Sequence, residues 1–179
     1  RRVLAALRAS GLELGPVVTV PGGRTGLYFV DAGVPPRATE VVYDRAGSAA
    51  SGLSVDEVAW DAIDDARLLH VTGITPALSD GCAEAAAAAI ARRREQGAAW
   101  SFDVNFRSRL WSAERARSWI DAHVERPTLL LCGRTDAAAV FGLEGSNEHV
   151  LAALRERFDA ETVVLTRGAE GASALVADR

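Results

Sequence analysis

The chain has 179 residues, and all twenty of its basic side chains are arginine, so the sequence holds no lysine at all. That excludes chemistry built on a P-loop lysine, a Schiff-base lysine or the ATP-binding lysine of a protein kinase. A net charge of -4 with 49% hydrophobic residues describes a globular domain with a sizeable core and argues against nucleic acid or an acidic membrane surface as the main partner.

Residues 1–10 read as a helix, with Val3, Leu4 and Leu7 on one face and Gly11 as its stop. Three short extended runs follow, at 17–20, 25–30 and 41–44, separated by the turn signals Pro21-Gly22-Gly23 and 33–36. The gaps are too short for crossover helices, so residues 17–50 are expected to form a small antiparallel sheet. From residue 60 onward the pattern is that of an α/β core. Strands are expected at 68–72, 99–104, 128–132, 162–166 and 172–176, with helices at 79–97, 112–123, 135–141 and 147–158. Ser79 is the expected N-cap and Gly97 the stop of the longest helix, whose Arg92, Arg93 and Arg94 read as a solvated, dipole-compatible end. The main strands recur at about 30 residues, the size of a βαβ unit. The expected fold class is therefore α/β, a mostly parallel sheet flanked by helices, with the small β-sheet apart from it.

Cys82 and Cys132 lie in apolar surroundings and read as buried free thiols, and His70, His123 and His149 have no metal-ligand spacing. Trp60, Trp100, Trp111 and Trp119 are expected in the core. No apolar run approaches the ~18 residues of a membrane span, and no signal peptide is visible, which makes the cytoplasm the default location. The sequence contains no methionine and opens on a helical pattern, so it is expected to be an internal piece of a longer chain.

Open α/β sheets bind ligands at the carboxyl ends of their strands. Here four strands run into polar or glycine-rich loops: Thr72-Gly73-Ile74-Thr75, Asp103-Val104-Asn105-Phe106-Arg107, Gly133 to Asp136, and Thr166-Arg167-Gly168-Ala169-Glu170-Gly171. Four such loops on one edge point to a small-molecule site. If the second strand continues, Asp103, Asn105 and Arg107 project to one side, offering acceptors for a hydrated metal and a forked donor for carboxylate or phosphate. A local Asp103–Arg107 ion pair is the simpler alternative. The last loop is either a plain hairpin turn or a place where backbone amides approach phosphate.

Five segments in order, Arg24-Thr25-Gly26-Leu27-Tyr28, 42–49 (Val42-Tyr43-Asp44-Arg45-Ala46-Gly47-Ser48-Ala49), His70-Val71-Thr72-Gly73-Ile74, 103–107 and 166–171, resemble the PfkB (ribokinase-like) carbohydrate kinases. The resemblance runs over essentially the whole chain, from about Arg1 to Arg179. Within that family the chain is most similar to the 2-keto-3-deoxygluconate kinases, on Tyr28, Tyr43, Arg45 and Arg107. The resemblance implies a ribokinase-like α/β domain with a β-sheet lid. The implied reaction is transfer of the ATP γ-phosphate, with Mg2+, to a primary hydroxyl of a sugar or sugar acid. Fructokinase or ribokinase chemistry, or a non-catalytic remnant that only binds ligand, are the alternatives.

Carried over residue by residue, Tyr28, Tyr43 and Arg45 contact the substrate from the lid and Arg107 pairs with its carboxylate. Asn105, Gly133, Thr166, Arg167, Gly168 and Gly171 lie along the nucleotide. Gly133 to Asp136 falls where the family carries an Asn-x-x-Glu motif linked to Mg2+, so only Asp136 is left to hold metal-bound water. The family's N-terminal glycine-rich substrate motif has no counterpart here. Its Gly-Ala-Gly-Asp motif, whose aspartate is the catalytic base, is expected to follow Arg179, so no residue of this sequence is assigned as catalytic. These 179 residues alone are therefore expected to be inactive. By analogy, a homodimer through the lid is expected.

Overall fold

The computed structural model describes residues 2–177. Arg1 and Arg179, the two ends of the family resemblance, lie outside the described residues. Helix α1 (Arg2–Ala9) opens the described chain and ends before Gly11, as the apolar spacing requires. Strands β1 (Leu27–Asp31) and β2 (Glu40–Asp44) then pair antiparallel, from Leu27 opposite Asp44 to Asp31 opposite Glu40. All five residues of β1 are exposed. The run 17–20, expected as a strand, is not one. Turns closed by Val17 N to Leu14 O and Gly23 N to Val20 O bracket it, leaving too few residues to join a ladder.

The short helix α2 (Trp60–Asp64) leads into a five-stranded sheet. Its strands are β3 (Leu69–Thr72), β4 (Trp100–Asp103), β5 (Leu129–Gly133), β6 (Thr162–Thr166) and β7 (Ala172–Val176), side by side in chain order. β3 to β6 are parallel and β7 is antiparallel to β6. The crossovers carry α3 (Ile74–Leu78) and α4 (Asp80–Glu95), then α5 (Ala113–His123), then α6 (Arg134–Phe141) and α7 (Asn147–Phe158). Since parallel crossovers share one hand, a chain-order sheet puts these helices on one face. Side-chain alternation agrees: Trp100, Phe102, Leu130, Cys132, Val163 and Leu165 are sealed in the core, whereas Leu129, Leu131 and Val164 between them are only half-buried.

α4, α5 and α7 each begin with a serine whose hydroxyl accepts an amide three residues on: Ser79 from Cys82, Ser112 from Arg115 and Ser146 from His149. α2 and α3 escaped sequence reading because five residues are too few to show helical periodicity. Trp100 and Trp111 are in the core, Trp119 packs against it, and both cysteines are buried and free.

The arginine run needs correction. Arg92 and Arg94 are solvated, as expected, and pair with Asp64 and Glu125. Arg93 is 2% exposed. Its guanidinium donates to the carbonyls of Ile63, Asp64, Ala66 and Ala99 at 2.8–3.3 Å. Those carbonyls lie in the segment leading to β3 and at the start of β4, so a buried cation ties α4 to both strands.

Candidate functional site

Parallel pairing brings the carboxyl ends of β3, β4, β5 and β6 to one edge, and with them all four loops singled out in the sequence. Close approach of backbone holds the first two together. A Cβ on Gly73 would stand 2.2 Å from the Val104 carbonyl oxygen, and Gly73 N donates to Asp103 O at 2.8 Å. Only glycine fits there.

β4 stops at Asp103, and Asn105 takes a left-handed backbone (φ 39°). The chain bends there, so Asp103, Asn105 and Arg107 do not alternate along one side of a continuing strand. Asn105 turns toward β3, where its side-chain amide donates to Thr72 Oγ1 at 3.1 Å. Arg107 is exposed and donates to the Phe106 carbonyl at 2.9 Å; among the described residues it forms no ion pair with Asp103. Asp136, in the first turn of α6, accepts from the Phe106 amide at 3.1 Å, which joins the loop after β4 to the loop after β5. Burial raises the pKa of Asp136 above the ordinary carboxylate range, partly opposed by that amide and by Arg107, and the charge of Asp103 adds to the rise. Asp103 is raised by burial too, against the pull of His70 and Arg107. With both carboxyls shifted upward mainly by burial, a cation placed beside them would be favoured.

Residues 167–171 close the β6–β7 hairpin, with Arg167 N donating to Gly171 O at 2.8 Å, so the turn reading of this loop holds. Its geometry also leaves room for a ligand. Gly168 (φ 58°) and Gly171 (φ 86°) have positive φ, and a Cβ on either would point into open space. Arg167 Nε is buried without a hydrogen-bond partner among the described residues. Thr166 lies opposite Gly133 in the parallel register, which places this hairpin beside the Gly133–Asp136 turn.

Tyr28, Tyr43 and Arg45 gather on the small sheet. The two tyrosines face each other across the strands with ring centroids 6.3 Å apart, and the Arg45 guanidinium lies 4.6 Å from the Tyr43 ring centroid. Among the described residues none of the three hydrogen-bonds to Arg107. Arg109 bridges between their elements. Two residues past Arg107, it donates to the Val41 carbonyl in β2 at 3.3 Å. Sequence reasoning passed over Arg109, and it named Thr72 and Arg24 only as members of their segments, without a role. Arg24 sits in a segment that was noticed, but its partners lie 20 and 22 residues away, where no spacing rule reaches. The catalytic base expected to follow Arg179 falls outside the described residues, as Arg179 itself does.

These features fit the groups a sugar kinase uses. The Arg167 guanidinium, paired with Glu170 at 3.6 Å, stands beside two open glycines, a loop whose backbone a phosphate chain can approach closely. No cluster of three metal-ligating side chains exists among the described residues. The donor set suits a magnesium ion held by one or two carboxylates together with phosphate and water.

Comparison with known proteins identifies the family. The model of the pfkB family of carbohydrate kinases matches residues 1–178. The 2-dehydro-3-deoxygalactonokinase of Haloferax volcanii is 38% identical over 97% of this chain and 54% of its own length. The 2-dehydro-3-deoxygluconokinase of Thermoproteus tenax is 33% identical over 96% of this chain and 52% of its own. The crystal structure of a PfkB protein from Polaromonas sp. JS666 superposes with a TM-score of 0.87 at 34% identity, covering 97% of this chain and 58% of that one. The chain belongs to the pfkB family of carbohydrate kinases. It spans about half the length of the relatives it matches.

Proposed function

We propose that the chain is the lid and central part of an ATP-dependent kinase for a 2-keto-3-deoxy sugar acid, with 2-keto-3-deoxygluconate or its galactonate epimer as substrate. The observation that carries this reading is Arg107: an exposed guanidinium at the sheet's carboxyl edge, in no ion pair among the described residues, in a loop tied to the lid strand through Arg109. A fork of N–H donors there suits a carboxylate, and a neutral sugar would leave it unmatched. The two relatives described above act, by their names, on sugar acids of this kind.

In this reading residues 17–50 act as the lid and residues 60–179 as the core. Arg45, steadied on Tyr43, and Tyr28 close over the sugar acid and exclude water while Arg107 holds its carboxylate. Thr166, Arg167, Gly168 and Gly171, with Asn105 and Gly133, would line the nucleotide, and Asp136 would help hold its magnesium ion. ATP supplies the phosphoryl group, and magnesium neutralises the charge that builds on it. The Gly-Ala-Gly-Asp base of the family is not among the residues up to Arg179, so these 179 residues do not turn over alone. The exposed apolar side chains of the lid strands suit a second lid as partner, so in this reading the working form is a homodimer.

Coupled-enzyme assays on the protein expressed from its complete reading frame test the reading, comparing 2-keto-3-deoxygluconate and 2-keto-3-deoxygalactonate with fructose and ribose. Preference for the acids supports it. Preference for a neutral sugar, or ligand binding with no turnover, overturns it.

A further inference from the structure

Arg24 stands outside the substrate-facing set, yet it makes the densest polar contacts of the small sheet. Its Nη1 and Nη2 take the Asp44 carboxylate as a fork, at 2.9 and 2.6 Å, and its Nε and Nη2 both donate to the Ala46 carbonyl, at 3.2 and 2.8 Å. Its own carbonyl accepts from Ala49 N at 2.9 Å, and its backbone bridges to Ser48. One side chain therefore anchors the residue before Arg45 and the residue after it.

Strand alternation gives this grip a direction. Tyr43 is cross-strand partner to Tyr28, while Asp44 is partner to Leu27 on the other side of the sheet. Arg24 thus holds β2 from the side away from Tyr28 and Tyr43. Gly26 completes the seat: a Cβ there would come within 3.2 Å of Arg45 Cβ. Arg45 is left between a bare glycine, the Tyr43 ring and two anchored neighbours.

We propose that Arg24 is a positioning residue, clamping Asp44 and the Ala46 carbonyl so that Arg45 and Tyr43 present a preformed surface to the ligand under the lid. The ion pair is partly solvated, with side-chain exposures of 40% and 52%, so its worth lies in orientation more than in fold stability. Lysine, a point charge without a fork, cannot hold a carboxylate and a carbonyl together in this geometry.

The inference rests on the sugar-acid reading, and the test separates the two. In the complete protein, Arg24→Ala and Arg24→Lys should each raise KM for the sugar acid about three- to tenfold, leaving KM for ATP and kcat within about twofold. Asp44→Asn should act in the same direction. In an Arg45→Ala background, Arg24→Ala should add nothing further to the sugar-acid KM. Amide hydrogen exchange over residues 43–48 should quicken in Arg24→Ala without any substrate present. Unchanged exchange and unchanged KM in a folded Arg24→Ala protein overturn the clamp, and so does a full additional loss in the Arg45→Ala background. Quickened exchange in a protein that phosphorylates no sugar acid supports the clamp and removes the substrate reading instead.

Discussion

Arg93 Nη2 donates to the Ala66 carbonyl at 2.8 Å across a stretch that joins the long helix α4 to the approach of the first core strand. Such a contact is expensive to disturb, because each of the four carbonyls served by this guanidinium loses a charged donor with it. Arg93→Ala is expected to lower stability by roughly 2–4 kcal/mol. Arg94→Ala, one residue further along and solvated, is expected to cost under about 1 kcal/mol. Denaturant melts of the two variants side by side check the contrast.

The same helix carries a pH-dependent tie. The Arg92 side chain, then Gln96, hold the Asp64 carboxyl down to about 2. A carboxylate whose folded pKa is depressed contributes stability above its unfolded value, near 3.9, and loses it as the pH falls toward the folded value. The midpoint of thermal unfolding should therefore fall between about pH 4 and pH 2 more steeply in the parent than in Asp64→Asn. Equal slopes would show that this pair does not titrate with folding.

The three serine caps give an additive test. Ser79→Ala, Ser112→Ala and Ser146→Ala should each cost about 1 kcal/mol, and because they cap different helices the triple variant should lose close to the sum. Equilibrium unfolding in urea reads this directly. A replacement that restores a short acceptor, such as Ser146→Asp, should recover most of the loss.

Gly73 marks the closest backbone approach at the site edge. Gly73→Ala puts a methyl group against the Val104 carbonyl and should destabilise by roughly 1–3 kcal/mol, or displace the loop that carries Arg107. In the active protein the second outcome appears as a raised KM for the sugar acid with KM for ATP held.

Arg107→Ala is the direct test of the proposed carboxylate clamp. Loss of a forked, charge-assisted contact should lower kcat/KM for a sugar acid by about 100-fold, while Arg107→Lys recovers only part of it. A neutral sugar tried as substrate should respond to neither change.

Much of this fold is written in local pattern. The helix 147–158 and the strands 162–166 and 172–176 lie where the apolar pattern and the turn glycines put them. What local pattern misses depends on residues far apart in the chain. The run 17–20 is apolar enough for a strand, but the turns on either side leave it outside the ladder. Arg93 looks like its solvated neighbours, and only the fold decides that its face of α4 meets carbonyls 27 to 30 residues earlier. At the site, the loops themselves were legible as polar residues after apolar strands. The bend at Asn105 was not, because alternation assumes that the strand continues. Arg24 and Arg109 were hidden for the same reason as Arg93: their partners include backbone carbonyls, which leave no mark in a sequence.

In the proposed reading, the hydrogen bond from Arg109 to the Val41 carbonyl would couple carboxylate capture at Arg107 to seating of the small sheet. Equilibrium coupling acts equally in both directions. If carboxylate capture at Arg107 steadies its loop, it favours the seated lid, and a seated lid strengthens carboxylate capture by the same factor. A hydroxylated molecule without an acid group would forgo that gain and leave the lid more often raised. Selectivity would then reside partly in how long the site stays covered, so Arg109→Ala should blunt discrimination between acids and neutral sugars while leaving every group that touches them in place.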